Sequence, residues 1–432
     1  MSIVLTNLWD DVIASFKPGA QHASLAPSAS SCWLRCTGSV EHNAGSDESS
    51  EYADEGTAAH TLSSYALTEN RQCAEYMGQT IPVLANDGTV RRKFDVDDDM
   101  ATYCQVYVDC VRDKIHDGCQ VFIEKRVQTG IVSQKWGEIG GTADAIILDT
   151  THGIIDVNDL KYGKGVQVYA AKVVPAPEFA AGPCIKHDGV YWELNPQLAT
   201  YAVAALREYG WIGNFPIVRL SIHQPRLDHY SVAELTREDL MAWAEGHVRA
   251  QVQEIDTAPQ YRPSEEACKW CAIKASCSAL TQFVERTVFD DFSNVSATVD
   301  NTAIAAAKER VSLVQDWCKA VEAKAQELAS KGMLPGWKIV QTKAGNRIWT
   351  DADEVETLFK ETYRLKDDET YKPRSLISPT DAEKKFKRAH PTRWERLQEF
   401  IKRGAPSQGL VPESDPRPAI TVADDFNVVH PQ

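Results

Sequence analysis

Apolar residues along this chain change period several times, and each change marks an element. Residues 55–70 and 99–116 carry apolar positions at helical spacing, whereas Val121-Phe122-Ile123-Glu124-Lys125-Arg126-Val127 reads as a strand. Two more short β-rich runs, 140–148 and 153–160, flank the turn-like tetrad Asp149-Thr150-Thr151-His152. Three such runs in succession predict a meander. Asn195-Pro196 then supplies an N-cap side chain followed by proline at the first helical position, which predicts a helix to about Tyr209-Gly210. A strand over 217–223 and a helix over 235–255 follow. The order predicts an α/β fold, a mixed sheet flanked by helices.

Downstream the pattern changes again. Residues 290–302 lack a clear period and read as a linker. From Ile304 the positions Ala307, Val311, Val314, Cys318, Val321, Ala325 and Leu328 alternate steps of three and four, and Gly332 follows as a C-cap. This predicts a long amphipathic helix whose stripe packs on the body of the protein rather than zipping a dimer. Trp337-Lys338-Ile339-Val340 and Arg347-Ile348-Trp349, joined through Lys343-Ala344-Gly345-Asn346, predict a hairpin. Proline, serine and acidic residues dominate from Gly404 onward and predict a poorly ordered tail. The expected organisation is a first domain over 1–285, a mainly helical C-terminal region over 286–403 and a tail over 404–432.

Composition narrows the class. The chain has 432 residues, 43% of them hydrophobic, enough for a substantial core. No apolar run reaches the roughly 18 residues of a membrane span, and the first residues lack the basic and apolar segments of an export signal. The expected location is the cytoplasm. Eleven cysteines without an export signal point to metal ligation by a clustered subset, not to disulfides. A formal net charge of -15 argues against nonspecific coating of nucleic acid, but not against an enzyme that acts on it. The stretch 360–403 is basic, so a positive face can coexist with the negative total.

Chemistry concentrates in the middle of the chain. Asp144 ends Gly140-Gly141-Thr142-Ala143, where small residues let a phosphate and a cation approach the backbone. Asp159 and Lys161 lie two apart on a predicted strand and share a face. One can bind metal while the other neutralises a phosphate or orients water, the two needs of phosphodiester hydrolysis. Gln197 and Tyr201, four apart on the predicted helix, point the same way and can hold a nucleotide or order the lysine. His60 in Glu55-Gly56-Thr57-Ala58-Ala59-His60 offers an imidazole ligand or a phosphate contact. No G-x4-G-K-(S/T) motif is present, so ATP-driven action would have to come from a partner.

Taken together, the Glu-Gly-Thr-x-x-His helix, Gly-x-x-Asp, Asp-x-Lys, Gln-x3-Tyr and the terminal trio Cys268-x2-Cys271-x5-Cys277 resemble the RecB-type branch of the PD-(D/E)xK nucleases over about residues 22–285. The chain also resembles phage-encoded proteins of previously unknown function that share Trp33-Leu34-x-Cys36, Asp159-Leu160-Lys161-Tyr162-Gly163-Lys164-Gly165 and Asn195-Pro196-Gln197-Leu198. The resemblance implies a restriction-endonuclease-like core and a DNA exonuclease of phage replication or recombination. It implies Mg²⁺ or Mn²⁺ held by His60, Asp144, Asp159 and the carbonyl of Leu160, with Lys161 catalytic and Gln197 and Tyr201 in support. DNA is the implied substrate, and a phage single-strand-binding or annealing protein a candidate partner. The sequence departs from the family in two places. Asp159 stands where many relatives have glutamate, and the stretch 171–192 is longer than expected and reads as a loop shaping substrate entry.

Three thiolates need a fourth to close a site, and Cys36 is the first choice with Cys32 behind it. Spacing leaves zinc and an iron-sulfur cluster equally open. The resemblance implies a [4Fe-4S] cluster stapling the N-terminal helix to the end of the nuclease domain. Finally, Lys384, Lys385, Lys387 and Arg388, with Arg393 beside Trp394, suit binding of a nucleic-acid strand by cations and a stacking ring. A solvated helix face reads equally well. The same features also leave open a nucleic-acid-binding scaffold that retains the nuclease fold, and a site-specific endonuclease.

Overall fold

Hydrophobic strands in the middle of the chain build the sheet on which everything else is mounted. The structure, a computed structural model, describes residues 6–16, 24–43, 49–174, 184–187, 189–287, 301–337, 361, 387 and 391–398. Strands β3 (Cys119–Ser133), β4 (Gly137–Asp149) and β5 (Ile154–Leu160) form the expected antiparallel meander, following the small hairpin β1 (Thr80–Leu84) and β2 (Val90–Asp95). A three-stranded sheet of β6 (Ala171–Val174), β7 (Cys184–His187) and β8 (Val190–Leu194) comes next. Then β9 (Ile217–Gln224) pairs parallel to β5, and β10 (His229–Thr236) closes the five-stranded mixed sheet in the order β10-β9-β5-β4-β3.

Helices cover both faces. On one side lie α6 (Pro196–Tyr209), α7 (Arg237–Trp243) and α8 (Arg249–Thr257); on the other lie α4 (Glu51–Glu69) and α5 (Asp98–Arg112). The α6 face is rich in alanine, and Ala199, Ala202, Ala204 and Ala205 are buried, which lets the helix lie close to the sheet. Asn195 caps α6 as the sequence predicts, its Oδ1 accepting from the N–H groups of Gln197 and Leu198. Short helices α1 (Leu8–Ser15), α2 (Ser30–Trp33) and α3 (Val40–Asn43) precede the sheet, while α9 (Glu265–Cys268) and α10 (Ser278–Thr287) follow it.

Three expectations are corrected. Residues 171–192 are not a plain loop, because β6, β7 and β8 lie within them. The helix expected over 235–255 starts at Arg237, since Ala233 and Leu235 alternate inward on β10 and extend the sheet. A π-helical turn over Ala244–Val248 joins α7 to α8. The long helix α11 (Asn301–Ser330) takes in the last two residues of the expected linker, and among the described residues Leu313, Val314 and Trp317 of its stripe pack with Leu280, Phe283 and Val284 of α10, while Ile304 is exposed.

Compact units run over Met1–Trp337 and Lys338–Gln432. In the second, α12 (Pro391–Gln398) is described; the expected hairpin after Trp337, residues 290–300 of the linker expected over 290–302 and the C-terminal tail lie outside the described residues. Among the described residues no helix is long and apolar enough to cross a membrane.

The sheet hides a polar network that the apolar reading of β5 does not anticipate. Lys114 Nζ donates to Asp156 Oδ2 at 2.9 Å, Asn158 Oδ1 at 2.6 Å and Ser221 Oγ at 3.0 Å. His223 Nε2 donates to Asn158 Oδ1 at 2.9 Å, and its ring meets Tyr107 edge-on. Burial, helped by the Lys114 charge, pushes the His223 pKa down to about 3. The unfolded chain therefore binds a proton near pH 6.5 that the folded chain refuses, so this group costs nothing at pH 7 and destabilises progressively as pH falls. Between pH 7 and 5.5 the loss from His223 is expected to reach about 1 kcal/mol. His223→Gln keeps a donor for Asn158 and should flatten that part of the urea-midpoint profile; an unchanged slope would remove His223 as its source.

Candidate active site and cysteine pocket

Asp144 and Asp159 stand on neighbouring strands, and the backbone itself ties them together. The N–H of Leu160 donates to Asp144 Oδ2 at 2.7 Å, and His60 Nδ1, from α4, lies 3.2 Å from the same oxygen. Lys161 Nζ sits 2.9 Å from Asp159 Oδ2 and donates to Gln197 Oε1 at 2.8 Å. Gln197 Nε2 in turn donates to Asp159 Oδ1 at 2.9 Å, closing a triangle. Tyr201, one turn along α6, is buried beside Gln197. Pro27 and Tyr201 press so closely on Gly141 that a Cβ there would meet Pro27 Cδ at 2.9 Å and Tyr201 Cε1 at 3.2 Å. His60, Asp144, Asp159, Lys161, Gln197 and Tyr201 thus gather in one place, with Leu160 lining the adjoining cleft.

One member is new. Glu124, on β3, faces the stretch of β4 around Asp144, since Ile123 pairs with Ala145 and Lys125 with Ala143. It has a left-handed backbone, φ 46°, at the point where β4 changes face: Ala143 and Ile146 belong to one core, Ala145 and Ile147 to the other. The nearest ligand atoms of His60, Glu124 and Asp144 all lie within 4.8 Å of one another. Asp159 stands outside that trio and engages Lys161 and Gln197.

The charges of this group act strongly on one another. Removal of its carboxyl from water, then the Asp144 charge, pushes Glu124 up to about 8, even though the residue as a whole keeps exposed surface. For Asp144 burial acts upward, yet the His60 charge, the hydrogen bonds from His60 and Leu160 and the Lys161 charge outweigh it and hold the pKa down. Burial wins at Asp159, which is raised despite Lys161. Burial also opposes charge on His60, but Asp144 more than compensates and lifts its pKa to about 9. Asp159 Oδ2 is buried and accepts no well-directed hydrogen bond beyond its ion pair with Lys161. Carboxylate oxygens with one imidazole suit a divalent cation such as Mn²⁺ or Mg²⁺, which relieves the mutual repulsion of the acids.

The site opens into a cleft between α4, through Gly56, Thr57 and His60, and the segment after β5, through Tyr162, Gly163 and Gly165. A Cβ at Gly56, Gly163 or Gly165 would meet nothing within 4 Å, and none of the three has positive φ. Their smallness answers to no packing demand within the protein. Lys164 is exposed between two of them.

The cysteines meet as the spacing suggests. Cys36, Cys268, Cys271 and Cys277 line one pocket together with Tyr261, Arg262 and Lys274. Cys32 is turned aside, its Sγ donating to Ala267 O at 2.9 Å and lying 3.3 Å from Ser39 Oγ. Burial pushes Cys268 up to about 11 and raises Cys36 and Cys271 too, with neighbouring thiols adding to the rise in each. Among the described residues no three of these sulfurs come within 4.8 Å of one another. Around the pocket, the N–H of Gly38 donates to Gln260 O at 3.0 Å, Gln260 N–H to Thr37 Oγ1 at 2.8 Å and Ala272 N–H to Asn43 Oδ1 at 2.9 Å. Gly38 is required here, because a Cβ would strike the Tyr261 ring at 2.8 Å.

The basic stretch fares differently. Lys384, Lys385 and Arg388 lie outside the described residues, as does the side chain of Arg393; Lys387 is exposed. Trp394 on α12 is buried, so its ring is covered and not offered for stacking on a base.

A family model described as "Protein of unknown function (DUF2800)" matches residues 22–418. Among solved structures, SSO0001, known from its crystal structure, is similar over 62% of this chain and 92% of its own at 13% identity, with a TM-score of 0.27.

Glu124→Gln should lower Mn²⁺ affinity roughly tenfold, the scale on which residues around a bound metal act. The raised pKa of Glu124 means that its ionisation costs stability as pH rises from about 4.5 towards 8. In EDTA at pH 8 the variant should therefore be the more urea-resistant protein. Calorimetry and urea unfolding read the two effects; wild-type values in both would leave Glu124 without a part in the site.

Proposed function

This chain belongs to the DUF2800 family of proteins of unknown function, and from its own side chains we propose that it is a metal-dependent deoxyribonuclease of the RecB-type PD-(D/E)xK kind, degrading DNA from its ends. The observation that carries the reading is the Lys161–Gln197–Asp159 triangle set against Asp144 and His60 at the edge of an open cleft. An idle cluster of this composition would be costly, because Asp159 is buried and Asp144, His60 and Lys161 are partly withdrawn from water, which is unfavourable for charged groups unless they are paired or used.

His60, Asp144 and Glu124, with Asp159 alongside, would hold Mg²⁺ or Mn²⁺. When bound, such a cation supplies Lewis-acid polarisation of the phosphate and makes water a better nucleophile at neutral pH. The chain's own groups do the rest. Lys161 presents a positive charge whose position is fixed on two sides, by Asp159 and by Gln197 Oε1, and so meets a phosphate without first having to be ordered. Gln197 locks the carboxylate and the ammonium into one arrangement, and its N–H is itself fixed by the Asn195 cap. Tyr201 fills the space beneath and excludes water. Gly56, Gly163 and Gly165 keep both walls of the cleft low, so that a sugar-phosphate backbone can approach, and Lys164 adds charge on the way in.

The cysteine pocket supports an iron-sulfur cluster over a single zinc. Zinc–sulfur bonds of about 2.3 Å in a tetrahedron bring thiolates to roughly 3.8 Å of one another. Four thiols in one pocket beside Arg262 and Lys274 suit an anionic thiolate centre, here proposed as [4Fe-4S] on Cys36, Cys268, Cys271 and Cys277. Its role would be to close the loop between the start and the end of the nuclease body.

End-labelled linear and circular DNA, incubated with Mn²⁺ or Mg²⁺ and anaerobically purified protein, tests the activity. Linear DNA should be degraded and circles spared, and Lys161→Ala, Asp144→Ala and Asp159→Ala should each lower the rate by at least about a hundredfold with the fold intact. Opening of circles would make the enzyme an endonuclease; inactivity of cluster-loaded wild type would sink the proposal. Separately, Cys36→Ser should lose iron and thermal stability while Cys32→Ser keeps both, and the reverse result would exchange their roles.

A further inference from the structure

A second group of metal-ligating side chains lies at the other end of β4. Asp149 ends that strand, His152 sits in the turn leading to β5, and His116 comes from the connection between α5 and β3. Asp149 divides its oxygens between two tasks. Oδ1 accepts from the N–H groups of Thr151 and His152 at 3.0 and 2.9 Å, which fixes the turn. Oδ2 is left to two imidazoles, with His152 Nδ1 at 2.7 Å and His116 Nε2 at 3.1 Å. The three ligand atoms lie within 4.8 Å of one another, and the rings stand edge to face with centroids 5.3 Å apart.

The tautomer of His116 is set by its surroundings. Nδ1 lies 2.8 Å from Asp117 O, a carbonyl that can only accept, so Nδ1 carries a hydrogen, and Nε2, which donates to Asp149 Oδ2 here, is the nitrogen that would give up its proton to a metal ion. A carbonyl holding the far nitrogen of an imidazole is the support that metal-binding histidines commonly have. The backbone beneath is also fastened, with Thr150 Oγ1 donating to Gly118 O at 2.7 Å and Cys119 paired with Asp149 across the ladder.

We propose that His116, Asp149 and His152 form a site for a borderline divalent transition ion of the Zn²⁺ class, separate from the candidate active site. Two imidazoles and one carboxylate select such an ion over Mg²⁺ or Ca²⁺, which prefer all-oxygen surroundings. Bonds of about 2.0–2.1 Å in a tetrahedron require ligand atoms about 3.3 Å apart. The His116–Asp149 pair already has nearly that spacing, and His152, 63% exposed, opens the other by a small ring movement. The remaining coordination position faces solvent. Asp149 is about 16 Å along β4 from Asp144 at the usual strand rise, so one ion cannot serve both places. Binding would clamp the start of β3 to the β4–β5 turn.

Full-length, cluster-loaded protein freed of loosely bound metal is titrated with Zn²⁺ by calorimetry, alongside His116→Ala and His152→Ala. Wild type is expected to bind one more equivalent than either variant, or to bind that equivalent at least tenfold more tightly, and excess Mg²⁺ should not displace it. Equal stoichiometry and affinity in wild type and variants would overturn the site. The second measurement needs no variant: carbethoxylation of His116 and His152, mapped by mass spectrometry, should slow severalfold when Zn²⁺ is added. Unchanged modification rates would equally overturn it. Neither readout depends on nuclease activity.

Discussion

Two carboxylates held side by side in a protein interior are the constraint around which this molecule is arranged. Asp159 is buried and Asp144 half-buried on neighbouring strands, and Glu124 brings a third acid within reach. Nothing apolar can stabilise that arrangement. The N–H of Leu160, the imidazole of His60, the ammonium of Lys161 and the amide of Gln197 must all be delivered, and they come from three places in the fold. The end of β5 and the residue just after it supply the first and third, α4 the second and the capped start of α6 the fourth. The mixed sheet with helices on both faces is thus also the means by which four donors reach two acids.

Much of this was legible in the sequence because period and capping are local. The meander, α6 with its Asn195-Pro196 start and β9 follow from spacing alone, and the same spacing puts Asp159 with Lys161 and Gln197 with Tyr201. Glu124 was not legible. It sits in a run that reads as an ordinary strand, and its importance depends on the register of β3 against β4, which places Ile123 opposite Ala145. Register is a long-range property, and a shift of one residue would have turned Glu124 to the other face. For the same reason Asp156, Asn158 and His223 escaped notice: their partner Lys114 comes from beyond the end of α5. The strands over 171–194 were missed because they are short, exposed in part and pair mainly with one another.

The cysteines divide differently. Their spacing makes Cys268, Cys271 and Cys277 an obvious set, but it does not distinguish Cys32 from Cys36. Their surroundings in three dimensions differ. Cys32 spends its proton on Ala267 O, whereas Cys36 lines the pocket with the other three. The amphipathic stripe of α11 meets the body locally. Among the described residues the part around Leu313 and Trp317 packs on α10, beside Cys268 and Cys277, so this helix reinforces the pocket from outside.

The stitching of Thr37, Gly38 and Asn43 to Gln260 and Ala272 has a consequence for how the protein comes into being. Synthesis runs from one end, and at about 5–20 residues per second the roughly 230 residues between Cys36 and Cys268 take on the order of 12–46 s to appear. Throughout that time Cys36 has already left the ribosome and waits, at the edge of an unfinished sheet, without Cys268, Cys271 and Cys277. The N-terminal segment is therefore fastened late, like a clasp forged after the band, and assembly of any centre in that pocket has to wait until the ribosome has passed Cys277.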